Sequence, residues 1–115
     1  MTDCITQQKD TSITHDEMAA FAPFAIADLK QAAASVLDEY KNFVALSVND
    51  HCVRLAVMQR EFRWHRHPQS DECVLVLEGE LEIDLAVGQT FRLSPGEAFT
   101  ISARVVHRTR SRTRV

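Results

Sequence analysis

Glycine and proline are scarce in this 115-residue chain, three of each, which excludes collagen-like and Gly/Pro-rich low-complexity classes. No apolar run approaches the roughly eighteen residues that a membrane helix needs. No basic patch followed by an apolar core opens the sequence, so neither a membrane partner nor secretion is expected. Cysteine is sparse and odd in number: Cys4, Cys52 and Cys73 form no CxxC pair, which suggests neither a disulfide framework nor a zinc knuckle. A reducing, cytoplasmic location is the natural expectation. Cys73 reads as a small buried hydrophobe. Excess positive charge is missing as well, with a formal net charge of -3, and counterion release on a nucleic acid would need a basic surface. There is no Gly-rich phosphate loop, nucleophile elbow or Cys-His dyad, so nucleophilic catalysis has no support.

What is present is a chain 45% apolar, enough to bury one domain's core without disulfide staples. Residues 1–12 are polar, lack periodicity and read as a loose tail. Thr14, His15, Asp16 and Glu17 fit a capping box, predicting a short helical turn from Met18 to Phe21 that stops ahead of Pro23. From Asp28 onward Leu29, Ala32, Ala33, Val36, Leu37 and Tyr40 recur at helical spacing. They predict an amphipathic helix laid against the strands that follow, or a dimer contact. After Lys41 the period becomes two. Residues 43–48 and 51–58 flank the turn pair Asn49-Asp50 as a hairpin, and further strands are expected over 61–67, 72–78, 80–85, 91–93, 99–101 and from about Val105. Many short strands with regular turn signals, and helix only at the front, describe an all-β sandwich or barrel.

The stretch WHRHPQSDECVLVLEG, starting at Trp64, carries the chemistry. His65 and His67 are two apart, so on an extended segment both imidazoles leave the same face. Pro68, Gln69, Ser70 and Asp71 are turn formers that reverse the chain, and the returning Glu72 would lie beside the two rings. Nitrogen and oxygen donors in that combination suit a first-row divalent metal. One more ligand is needed from elsewhere, and His107 is the candidate. His15 and His51 read as a cap residue and a turn residue, with a supporting role for His51 behind the ligands as the alternative. Trp64 reads as packing in a core or a dimer interface.

Five arginines, at 104, 108, 110, 112 and 114, crowd the end of the chain. Arg108, Arg110, Arg112 and Arg114 would line one strand face opposite Glu78, Glu80, Glu82 and Asp84. The expectation is cross-strand ion pairing on a wet surface, with an anion-binding strip as the alternative. Arg63 shares the face of His65 and His67 and is a candidate for meeting an acidic ligand.

These residues resemble the cupin family. His65-x-His67, four residues, Glu72, six residues and Gly79 have the spacing of its first motif. Gly96, Ser102, Arg104, His107 and Ser111 have the spacing of its second. Within the superfamily, HRHPQSDECVLVLEGELEID and SPGEAF are most similar to small single-domain cupins labelled mannose-6-phosphate isomerase-like. The resemblance implies a cupin jelly-roll, or double-stranded β-helix, barrel with a short N-terminal helical segment. It divides the chain into an extension over 1–41 and a barrel domain over 42–115, commonly paired as a homodimer. It also implies one divalent metal ion, Fe, Mn, Ni or Zn, held by His65, His67, Glu72 and His107. Departures lie at Gln59, where Gly is usual, and at Ser102 and Arg104, which replace Pro and Gly. Arg104 is expected to reshape the loop before His107 and to project over the site as a second ligand-binding arginine beside Arg63.

The function expected is binding of a small oxygen-rich molecule, sugar-like or carboxylate, at the metal. A metal-dependent isomerase or dioxygenase could start from such a site. The alternative is a non-catalytic ligand-binding or sensor module.

Overall fold

Backbone pairing, more than the apolar pattern, decides how the chain is layered. The computed structural model describes the backbone of Asp3–Lys9 and all of residues 17–115. Among the described residues the strands are β1 (Asp3–Lys9), β2 (Lys41–Val48), β3 (His51–Val57), β4 (Arg60–Glu61), β5 (Glu72–Val76), β6 (Leu81–Leu85), β7 (Thr90–Leu93), β8 (Ala98–Ile101) and β9 (His107–Ser111), with the helix α1 (Leu29–Ala34). A five-stranded sheet in the order β2-β3-β1-β5-β8 faces a four-stranded sheet in the order β4-β9-β6-β7. The expected all-β architecture is therefore present.

Residues 1–12 were expected to form a loose tail, but Asp3–Lys9 is a strand between β3 and β5, antiparallel to both. A segment without apolar periodicity is held here by two ladders, because backbone N–H and C=O groups pair whatever the side chains are. Of the expected capping box, Thr14, His15 and Asp16 lie outside the described residues. Glu17 caps no helix: its carboxylate accepts from the Val44 N–H and from Arg54, and Met18 to Phe21 is not helical. Instead the N–H groups of Ala20 and Phe21 donate to the carbonyls of Val44 and Ala45. They satisfy polar groups where the β2–β3 register shifts between Val44 and Leu46, and an edge bulge needs such partners.

The expected helix is real but short. Asp28 caps it by accepting from the Gln31 N–H, and its axis ends at Ala34, so Leu37 and Tyr40 do not share its face. Ala33 and Val36 are buried with Ala45, Leu55 and Val57 in a core between α1 and the outer side of the five-stranded sheet. Residues alternating with these on β3 and β5 point the other way. Ala56, Val74 and Val76 meet Leu81, Ile83, Leu93, Ile101 and Val115 between the two sheets. Each of the large aliphatic side chains there contributes roughly 1.5–3 kcal/mol through burial. The closing end of the barrel is Val115, whose N–H and C=O both bond Met58. Arg114 does not join the acidic face; its guanidinium donates to the carbonyls of Ala33, in the last turn of α1, and of Val36, just past it.

On β6, alternation turns Glu82 and Asp84 outward, opposite Arg110 and Arg108 of β9. The expected wet ion pairs are present but covered: both carboxylate residues are buried. Asp84 accepts from Arg108 Nε at 2.8 Å, from Arg110 Nε at 2.7 Å and from the Thr90 hydroxyl. Arg110 also reaches Glu82 at 2.7 Å, and Arg92 pairs with Glu80. The Arg110 bond outweighs the burial of Asp84 and holds its carboxyl well below the usual carboxylate range.

Because the folded-state value is depressed, this contribution is complete above the ordinary carboxylate value and is lost as pH falls toward the depressed one. We predict that Asp84→Asn costs about 1–3 kcal/mol near neutral pH. In urea unfolding, the gap between the two proteins narrows steadily below the ordinary carboxylate range. A pH-independent gap would show that ionisation of Asp84 is not its source.

Candidate metal centre

Glu72 opens β5 and shares the inward face of Val74 and Val76, while His107 opens β9 and shares the inward face of Thr109. The expected strand over 61–67 is interrupted: after β4 the Phe62 N–H still donates to the Thr109 carbonyl, and pairing resumes at His65 in an isolated antiparallel bridge with His107. Each donates its N–H to the other's carbonyl at 2.9 Å. The histidine pair was expected to sit on a regular strand; one bridge and the Pro68 turn replace it, because Pro68 and its neighbours break pairing. The result still brings together all four residues expected to be ligands. Their ligating atoms lie within 4.8 Å of one another, with Glu72 and His107 buried and His65 and His67 half-buried.

The rings are oriented from behind. His65 Nδ1 lies 2.8 Å from the carbonyl of Arg63, and His107 Nδ1 lies 2.9 Å from that of Val105. A carbonyl only accepts, so each Nδ1 carries the proton and each Nε2 presents a lone pair. His67 Nε2 faces Glu72 Oε2 at 3.2 Å and His107 Nε2 faces Glu72 Oε1 at 3.5 Å. These are charge contacts without hydrogen-bond alignment, and both Nε2 atoms are buried with no hydrogen-bond partner. Lone pairs converging in a partly buried site repel unless a positive charge lies among them, so the donor set fits a divalent cation.

The protonation tendencies express the same demand. Burial would raise the Glu72 carboxyl, but the facing His107 and His67 rings pull it down to about 2. Burial also lowers His107, yet Glu72 and the Val105 carbonyl reverse this and raise it. His65 is lowered, chiefly by burial.

The loop before His107 keeps the turn expected of a glycine. Arg104 has φ 69°, in the left-handed region that costs a side-chain-bearing residue roughly 1–2 kcal/mol. A side chain is thus carried at a backbone angle that glycine favours. The strain is held by the Arg104 N–H donating to the His67 carbonyl at 2.8 Å, and the Arg104 side chain is exposed. Arg63 is exposed too, with its guanidinium 5.5 Å from the centre of the Phe62 ring. Phe62 stands edge-on to His65, and Tyr40 stacks on Phe62. Phe62 was not singled out from the sequence, where position beside the histidine pair does not separate it from ordinary core; Tyr40 was read only as part of the helical stripe.

His51 does not support the ligands: it is exposed and bonded to Asp50 at the β2–β3 turn. Trp64 is not core; it is half-exposed and carries Arg108 at 4.8 Å from its ring. Cys52 is buried and Cys73 half-buried. A groove of about 540 Å³, lined by Arg60, Glu61, Glu82, Arg110, Ser111 and Arg112, contains none of the four clustered residues.

The family profile described as "Cupin domain" matches residues 52–115. This chain belongs to the cupin family. It is 47% identical over 87 residues to the uncharacterized protein YdbB of Bacillus subtilis, covering 76% of this cupin and 77% of that protein. A crystal structure of a cupin-2 domain containing protein from Shewanella frigidimarina is similar with a TM-score of 0.73 and 26% identity, over 77% of this chain and 86% of that one. Protein NMB1881 from Neisseria meningitidis shares the fold with a TM-score of 0.71 at 24% identity, over 78% and 91% of the two chains. The two facing sheets are thus the jelly-roll of a cupin. Among the described residues, no helix is long and apolar enough to cross a membrane.

We predict that Arg104→Gly leaves the fold intact and is neutral to about 1 kcal/mol stabilising, whereas Arg104→Val costs about 1–2 kcal/mol. Thermal unfolding of the two variants checks this. Equal midpoints would mean that the left-handed angle stores no strain.

Proposed function

We propose that this cupin binds one divalent metal ion, Fe, Mn, Ni or Zn, through His65, His67, Glu72 and His107. Through that ion it takes up a small oxygen-rich molecule, sugar-like or carboxylate. The observation that supports this reading is the convergence of four donor atoms within 4.8 Å, two of them buried imidazole nitrogens without a hydrogen-bond partner. When bound, the metal supplies Lewis acidity to an oxygen ligand. The chain's own residues do the rest: the carbonyls of Arg63 and Val105 fix two imidazoles in the ligating tautomer, and the barrel core buries Glu72 and His107. Arg63 and Arg104, exposed and charged, serve in this reading to attract an acidic ligand. The chemistry is compatible with a metal-dependent isomerase, in line with the mannose-6-phosphate isomerase-like resemblance, or with a dioxygenase. A cytoplasmic homodimer completes the proposal, with residues 42–115 as the barrel domain and the preceding segment 1–41 lending β1 to its sheet.

Metal analysis of purified, untagged protein tests it. We expect about one metal per chain, reduced more than about tenfold in affinity by His65→Ala or Glu72→Gln. Saturation at roughly a hundred times Kd should stabilise the protein by about 2.7 kcal/mol. A trace content indifferent to His65→Ala would sink the site. A turnover screen for oxygen uptake and sugar isomerisation then separates enzyme from sensor, since stabilisation by a ligand without product favours the sensor.

A further inference from the structure

Three of the four clustered residues flank two separate loops, and a carboxylate outside the cluster joins those loops. One loop is the turn from His67 through Pro68, Gln69 and Ser70 to Asp71, with Glu72 following. The other runs from Ser102 to Val105 and leads into His107. Asp71 Oδ1 accepts from the Ala103 N–H at 2.8 Å, across 32 residues of sequence. The next amide, that of Arg104, donates to the His67 carbonyl at 2.8 Å. Two consecutive amides thus grip the two ends of one turn. Among the described residues, Asp71 is the residue of that turn whose side chain makes the crossing.

We infer that Asp71 is a positioning residue of the metal centre, holding the half that carries His67 and Glu72 at binding distance from the half that carries His107. The inference rests on the metal reading above. Its physical basis is a two-point attachment. The β5–β8 ladder ends at Glu72 opposite Ile101 and the His65–His107 bridge lies on the other side; between these two points a single bond, Arg104 to His67, would leave the turn free to swing about it, and the left-handed angle of Arg104 would relax as it did so. The second point, one residue away, removes that freedom. Asp71 is directly followed by Glu72, and Ala103 lies four residues before His107, so small rotations at the attachment become displacements at the donor atoms. Sites of this kind tolerate little looseness, and groups supporting ligands typically change metal affinity by roughly 10–100-fold.

The test is metal affinity measured in solution, using Zn²⁺ by chelator competition and Co²⁺ by its visible absorption, alongside unfolding of the metal-free proteins. Asp71→Ala should weaken Zn²⁺ binding about tenfold or more and alter the Co²⁺ spectrum, while the metal-free midpoint moves little because Asp71 is exposed. Asp71→Asn, which keeps an acceptor oxygen at the same reach, should recover most of the affinity. Unchanged affinity in Asp71→Ala, with the wild type binding normally, overturns this inference and leaves the metal site standing. Loss of affinity matched by loss of metal-free stability, without recovery in Asp71→Asn, also overturns it in favour of a general role in folding. A wild type that binds neither metal removes the site itself, and this inference with it.

Discussion

Two backbone hydrogen bonds between His65 and His107 are the constraint on which the rest of the site depends. They extend the β4–β9 pairing across an interruption and fix the separation of two imidazoles before any side-chain choice is made. Each ring then turns its Nδ1 onto the carbonyl two residues earlier, Arg63 in one case and Val105 in the other. The arrangement is nearly symmetric about the bridge, and its outcome is two Nε2 lone pairs directed inward. His67, at the near end of a turn, and Glu72, at its far end, meet them. The barrel contributes by desolvation: with His107 fully buried and Glu72 nearly so, the electrostatics of the group are felt at low screening.

The pairing of β6 with β9 couples this inner chemistry to the outer surface. Its inward pairs are Ile83 with Thr109 and Leu85 with His107; its outward pairs are Glu82 with Arg110 and Asp84 with Arg108. A slip of one residue would put arginine in the core and take His107 out of the site. The ion pairs on the outside therefore work with the aliphatic residues on the inside to specify one alignment, the use of buried charge that is best attested.

Much of this was legible in the sequence. The histidine spacing, the turn residues and the returning acid needed only strand alternation to be read together, and the all-β class followed from short alternating runs. What escaped has physical causes. β1 is polar and carries no periodic signature, yet a strand between two neighbours is held by its backbone. Glu17 looked like a cap because its spacing from Thr14 fits one, but a buried arginine, Arg54, is a stronger partner than a helix end. Glu82 and Asp84 looked wet because alternation gives only the face of a sheet, not what long side chains lay over it. Arg104 looked disruptive because the average cost of a left-handed residue was visible and the two amide contacts beside it were not. Asp71 was hidden in plain composition, one turn residue among four.

The helix α1 has six residues, too few to hold itself together in water. Its far end is tied by Arg114, whose neighbour Val115 is sealed against Met58 at the base of the barrel. Helix, final residues and barrel floor consequently form one cooperative block: fraying at the carboxyl end of the resolved chain releases the helix, and the aliphatic layer it covers loses its roof.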